Sequence, residues 1–126
     1  MPTFRKFEEI EAWKKARELT REIYRHTRAG ALARDFALRD QIRRAAVSVM
    51  SNIAEGFERD GRKEFLQFLS IAKGSIGELK SQLYVVADQE HLPHDEVQRL
   101  MRMAAETGAL IAGLLNYLRK VETPGA

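Results

Sequence analysis

Lys14, Arg17, Arg21, Arg25 and Arg28 recur at three- and four-residue intervals, the spacing that brings side chains onto one face of a helix. Turned by about 100° per residue, they share one quadrant, while Glu11, Glu18 and Glu22 share the neighbouring one. A row of guanidinium and ammonium groups about three turns long could contact successive phosphates of a nucleic acid. The same row could equally be a solvated face, neutralised by pairs such as Lys14 with Glu18 and Glu22 with Arg25. Arg43 and Arg44 add two cations on the next segment, so the candidate phosphate contacts are Lys14, Arg17, Arg21, Arg25, Arg43 and Arg44. No base-reading motif accompanies them, and binding would follow charge and shape.

A second pattern is polar without being cationic. Gln41, Arg44, Ser48, Asn52, Glu55 and Arg59 form a ladder beside the apolar stripe of their helix. Hydroxyl and amide groups inside a helix lower its propensity, so a row of them implies partners on another helix or a ligand. The plain alternative is an exposed face with a Glu55–Arg59 pair. A third pattern, Ser70, Gly74, Gly77 and Ser81, lies opposite the apolar seam of its helix. Each mid-helix glycine costs about 1 kcal/mol relative to alanine, which asks for compensation by a close backbone approach. We read this stripe as a subunit interface, against the alternative of tolerated surface glycines.

Catalytic chemistry is not visible. The chain has no phosphate-binding glycine loop, no nucleophile elbow and no His-Glu-x-x-His. Asp88, Glu90, His91, His94 and Asp95 could be drawn as a metal site, but they straddle Pro93 at an expected helix connection and read as polar loop. Glu55 with Glu58 or Asp60 lacks any histidine or nucleophile placed beside it. Cysteine is absent, which removes disulfides, thiolate nucleophiles and Cys-ligated metals together. No enzyme activity, metal or cofactor is expected.

The elements that must position these groups are helices. Of 126 residues, 44% are hydrophobic and 31% charged, and Ala, Leu, Glu, Lys and Arg are abundant. Apolar and small residues Ala12, Trp13, Ala16, Leu19, Ile23 and Tyr24 predict a first helix over about 8–28, followed by a linker over 30–35. Leu38, Ile42, Ala45, Ala46, Val49, Ile53 and Phe57 predict a second over 36–58, stopped at Asp60-Gly61. Phe65, Leu69, Ala72, Ile76, Leu79, Leu83 and Val86 form a heptad seam for a third over 62–89. Pro93 suits the first turn of a fourth over 94–121, with the seam Val97, Leu100, Ala104, Thr107, Ile111, Leu114, Leu118 and Val121. Short links between such helices predict one domain over 1–126, an all-α, antiparallel, up-down-up-down four-helix bundle, with residues 123–126 as a frayed tail.

The net charge is +3, unevenly placed: residues 1–63 carry 15 Lys and Arg against 10 Asp and Glu, residues 64–126 carry 6 against 8. An anionic partner would meet the first half. The early residues turn charged before any signal-like apolar run, and no stretch approaches the ~18 uncharged residues of a membrane span. The expectation is a cytoplasmic protein with no membrane partner.

The runs Phe7 to Ala16, Asp40 to Phe57 and Phe65 to Leu79 resemble the four-helix-bundle family of proteins encoded in intervening sequences of 23S ribosomal RNA genes. Ser48-x-x-Ser51-Asn52-Ile53-Ala54-Glu55-Gly56 is the most specific part, and the resemblance spans about residues 4 to 121. The accessory variability protein of diversity-generating retroelements is a relative of that family. The resemblance implies assembly into a ring-like homopentamer, often with a basic surface. Among the retroelement relatives it implies binding of nucleic acid and a reverse transcriptase. The segment Glu90-His91-Leu92-Pro93-His94 departs from the family pattern, which has a Gly-aromatic turn there. Two functions follow as expectations: an oligomer that binds RNA or DNA without strong sequence specificity, or an adaptor that docks another protein such as a reverse transcriptase.

Overall fold

Helix-breaking residues and apolar seams divide the chain as the spacing predicts. The computed structural model describes residues 4–122, so the tail expected at 123–126 lies outside the described residues. A single 3-10 turn, Phe7–Glu9, precedes α1, Glu11–His26; then come α2, Gly30–Arg34, α3, Phe36–Glu58, α4, Arg62–Asp88, and α5, His94–Glu122. No strand occurs among the described residues.

Two boundaries differ from the sequence expectation. The first helix does not begin at residue 8: Ile10 is extended and fully buried, so the 3-10 turn folds back and seats an apolar anchor before α1 starts. The linker over 30–35 contains a further short helix, α2, because Leu32 is buried and its turn closes onto Asp35. Gly30 enters that turn at φ 81°, a left-handed value that glycine adopts without strain. Asp35 then caps α3, its carboxylate accepting from the Leu38 N–H.

The four long helices pack as α1 on α3, α3 on α4, α4 on α5 and α5 on α1. Their apolar faces meet in one continuous core, from Ile10 through Leu118. The α4 seam is as predicted, with all members buried except the half-buried Phe65. In α5 the seam slips after Ile111: Leu115, not Leu114, is buried, Leu118 follows it, and Val121 is exposed. Two successive four-residue steps replace the alternating 4-3 pattern, which is how a helix longer than a few heptads corrects its drift against a nearly straight partner.

Close approach between helices is concentrated at α3 and α4. A Cβ placed on Gly56 would lie 2.6 Å from Phe68 Cβ and 3.1 Å from Phe65 Cδ1, so the backbones meet where no larger residue fits. Along the same seam Ser48 Oγ lies 2.9 Å from Ser75 Oγ, with Ser75 buried. Between α1 and α3, the Thr20 hydroxyl reaches the carbonyls of Ala16 and Ala46.

Candidate nucleic-acid interface

Charge in α1 is sorted by which neighbour each side faces. Toward α5, Glu22 accepts from Arg99 at 2.5 Å and from Arg25 at 2.8 Å, Lys15 meets Glu106 at 3.1 Å, and His26 Nε2 stands 3.1 Å from Glu96. The two guanidinium groups, Arg25 first, hold the Glu22 carboxyl down at about 2. Hydrogen bonding to Glu106 raises the Lys15 ammonium above its ordinary value. Acids on this side are therefore neutralised within the protein.

Toward α3 the acids give out. The Arg17 guanidinium sits over the Trp13 ring at 5.8 Å, and Arg21 is exposed with no carboxylate partner among the described residues. Arg43 donates to Thr27 Oγ1 at 2.7 Å and lies over the Tyr24 ring at 4.5 Å, while Arg44 is exposed and has no carboxylate partner. Between them runs an open groove of about 570 Å³, bordered by Tyr24, Asp40, Arg43, Arg44, Val47, Ser48, Ser51 and Asn52. Arginine stacked on aromatic rings beside a polar groove can meet phosphates through its free N–H groups and bases through its plane.

The six predicted phosphate contacts thus do not stand alike. Arg17, Arg21, Arg43 and Arg44 border the α1–α3 side. Arg25 is bound to Glu22, and Lys14 to Glu11 at 3.2 Å. The expected Lys14–Glu18 pair does not form: Glu18 instead meets Lys15, because Lys14 is drawn back to Glu11 in the preceding turn. Tyr24, placed in the core stripe by spacing, is only half-buried and supports Arg43. Ser51 and Val47 were not singled out, although both stand one helical turn from members of the ladder.

The ladder divides in two. Its middle faces α4, with Asn52 Nδ2 donating to the Ser48 carbonyl at 2.8 Å and to Ser48 Oγ at 3.0 Å, and Ser48 meeting Ser75. Arg59 pairs with Glu55 at 2.8 Å and lies over Phe68 at 5.1 Å, at the far end. Gln41 and Arg44 are exposed.

Ser70, Gly74, Gly77 and Ser81 all lie exposed on α4. Added Cβ atoms at Gly74 and Gly77 would meet nothing within 4 Å, so within one chain no close approach occupies this face. Exposed Ile71, Tyr84 and Val85 share the helix surface around it. The loop acids and histidines disperse. His91 Nε2 reaches Asp35 Oδ2 at 3.0 Å, tying the α4–α5 connection to the cap of α3, and this contact, with the Leu38 N–H, lowers the Asp35 carboxyl. Among the described residues no three His, Asp or Glu side chains group as metal ligands, and no helix is long and apolar enough to cross a membrane.

The fold has a counterpart. A crystal structure of a protein of unknown function from the S23 ribosomal protein family of Bacteroides thetaiotaomicron superposes with a TM-score of 0.77 at 20% identity. The match covers 83% of this chain and 95% of that one. No curated protein matches the chain. The family model of the 23S rRNA-intervening sequence protein matches residues 8–113, most of the length described. This chain belongs to the 23S rRNA-intervening sequence protein family.

Proposed function

We propose that the protein is a non-enzymatic, cytoplasmic, antiparallel up-down-up-down four-helix bundle that binds nucleic acid through the α1–α3 face without strong sequence specificity. One observation carries the proposal. Arg17, Arg21, Arg43 and Arg44 have no carboxylate partner, whereas Glu22, Glu96 and Glu106 meet cationic or histidine partners at the α1–α5 contact. A merely solvated face would interleave the signs.

Self-association is part of the same reading. The exposed small-residue face of α4, with Ile71, Tyr84 and Val85 beside it, would dock a second copy, and the family resemblance sets the expected ring at five. Ring symmetry repeats each basic patch, so weak phosphate contacts add. A role as adaptor for a reverse transcriptase would use that ring with the basic face secondary.

Fluorescence anisotropy with labelled nucleic acid at two salt concentrations tests the proposal. Affinity should fall steeply with salt, on the order of one logarithmic unit of slope per phosphate neutralised. Charge reversal at Arg17, Arg21 and Arg44 together should weaken binding on every sequence while helicity stays unchanged. Absence of wild-type binding at low salt would transfer the proposal to the adaptor role.

A further inference from the structure

The groove between α1 and α3 offers hydrogen-bonding chemistry that a charged surface alone does not need. Asn52 lines it, and its amide orientation is dictated by its partner: the Ser48 carbonyl can only accept, so the group 2.8 Å away is Nδ2. The second amide hydrogen goes to Ser48 Oγ at 3.0 Å. With both hydrogens used, Asn52 presents Oδ1 as an acceptor with no partner among the described residues. Arg43 is held in place by Thr27 Oγ1 and the Tyr24 ring, and Arg44 stands free at the rim. A groove of about 570 Å³ is within the size range of sites for small ligands.

We propose that this groove takes one unpaired nucleotide of a single strand. The base lies along the Arg43–Tyr24 stack, its exocyclic amino group donates to Asn52 Oδ1, and its phosphate meets Arg44. This inference rests on the nucleic-acid reading above and narrows its ligand to single strands. A paired base cannot enter, because its amino edge and both faces are already occupied in the duplex. Uracil and thymine have no exocyclic amino group, so they leave Oδ1 unmatched. Cytosine supplies one at the same ring size, which makes the comparison of cytosine with uracil independent of stacking area.

The test uses the full chain and labelled homopolymers of cytosine and uracil as RNA, of cytosine and thymine as DNA, and a mixed duplex, read by anisotropy at low salt. Cytosine strands should bind roughly fivefold tighter than uracil or thymine strands, the yield of one added hydrogen bond. Ser51→Leu should erase that difference and leave duplex affinity and melting temperature unchanged, since Ser51 is exposed and its replacement only fills the groove. A cytosine preference in RNA alone would support the groove with a ribose hydroxyl contact added, and one in both polymers would support recognition of the base alone. Equal binding of cytosine and uracil strands by the wild type, or a preference that survives Ser51→Leu, would overturn the inference. Should strands and duplex bind alike and respond only to Arg17, Arg21 and Arg44, the basic face stands and the groove falls; no binding to any of them overturns both.

Discussion

Gly56 on α3 and Phe68 on α4 meet at a distance that leaves no room for a side chain, 2.6 Å from an added Cβ to Phe68 Cβ. The neighbouring atom is a Cβ fixed to backbone, so relief requires the helices to part. Gly56→Ala should therefore destabilise the protein by about 1–3 kcal/mol despite alanine's better helix propensity, lowering Tm by several degrees. A thermal melt equal to wild type would show that the α3–α4 seam yields freely.

Gly74 and Gly77 behave oppositely, since nothing stands within 4 Å of a Cβ at either. Their replacement costs the single chain nothing, and alanine should add up to about 1 kcal/mol at each position. The double change Gly74→Leu with Gly77→Leu should preserve helicity but break assembly. Light scattering of the wild type should give a mass near five times the 14.4 kDa chain, and the variant much less. A monomeric wild type at micromolar concentration would refute the α4 interface.

Asn52 and Glu55 belong to one ladder in the sequence but to different environments in the structure. Asn52→Leu removes two hydrogen bonds from a half-buried seam and should cost roughly 0.5–1.5 kcal/mol in urea unfolding. Glu55→Leu breaks an exposed pair with Arg59 and should shift stability by less than about 0.5 kcal/mol. Equal losses would mean that Glu55 has a burying partner in the assembly.

Acid should act through Glu22. Its folded value of about 2 lies below its ordinary 4.5, so its contribution is complete above 4.5 and is lost as pH falls toward 2. Asp35, lowered by His91, adds in the same direction. Urea unfolding at pH 7 and pH 3 should show a loss on the order of 1–2 kcal/mol beyond that of Glu22→Gln. Identical pH dependence in both proteins would discount the Arg25–Glu22–Arg99 cluster.

Glu90 closes α4 with φ 55°, the left-handed position at which glycine is at ease. The Glu90 and His91 N–H groups bond back to Ala87 and Val86, so the turn is made despite the side chain. Glu90→Gly should raise stability by up to about 1 kcal/mol by removing that strain. A lower melting temperature would show that the glutamate side chain itself holds the loop.

The long helices were legible because their signals are local. Apolar residues at Leu69, Ala72, Ile76, Leu79, Leu83 and Val86 repeat at the spacing of a single buried stripe, and Asp60-Gly61 breaks the chain where backbone geometry demands it, Gly61 having φ 111°. Pattern and position coincide there, since a helix buries whatever faces its neighbour. The partition of α1 charge was visible as two quadrants for the same reason.

What spacing could not supply was the identity of each neighbour. The choice of Leu115 over Leu114 depends on how far α5 has rotated against its partners after Ile111, an accumulated angle that two adjacent leucines cannot announce. Gly56 and Gly74 look alike in sequence, yet only one faces Phe68 across a seam. Arg25 and Arg21 are one turn apart on α1, and the first is taken by Glu22, itself held by Arg99 from α5, while the second has no acid partner. Such pairings join residues far apart in the chain. Local propensity determined where helices run; only the packing of those helices decided which glycine is crowded and which arginine remains open to a phosphate.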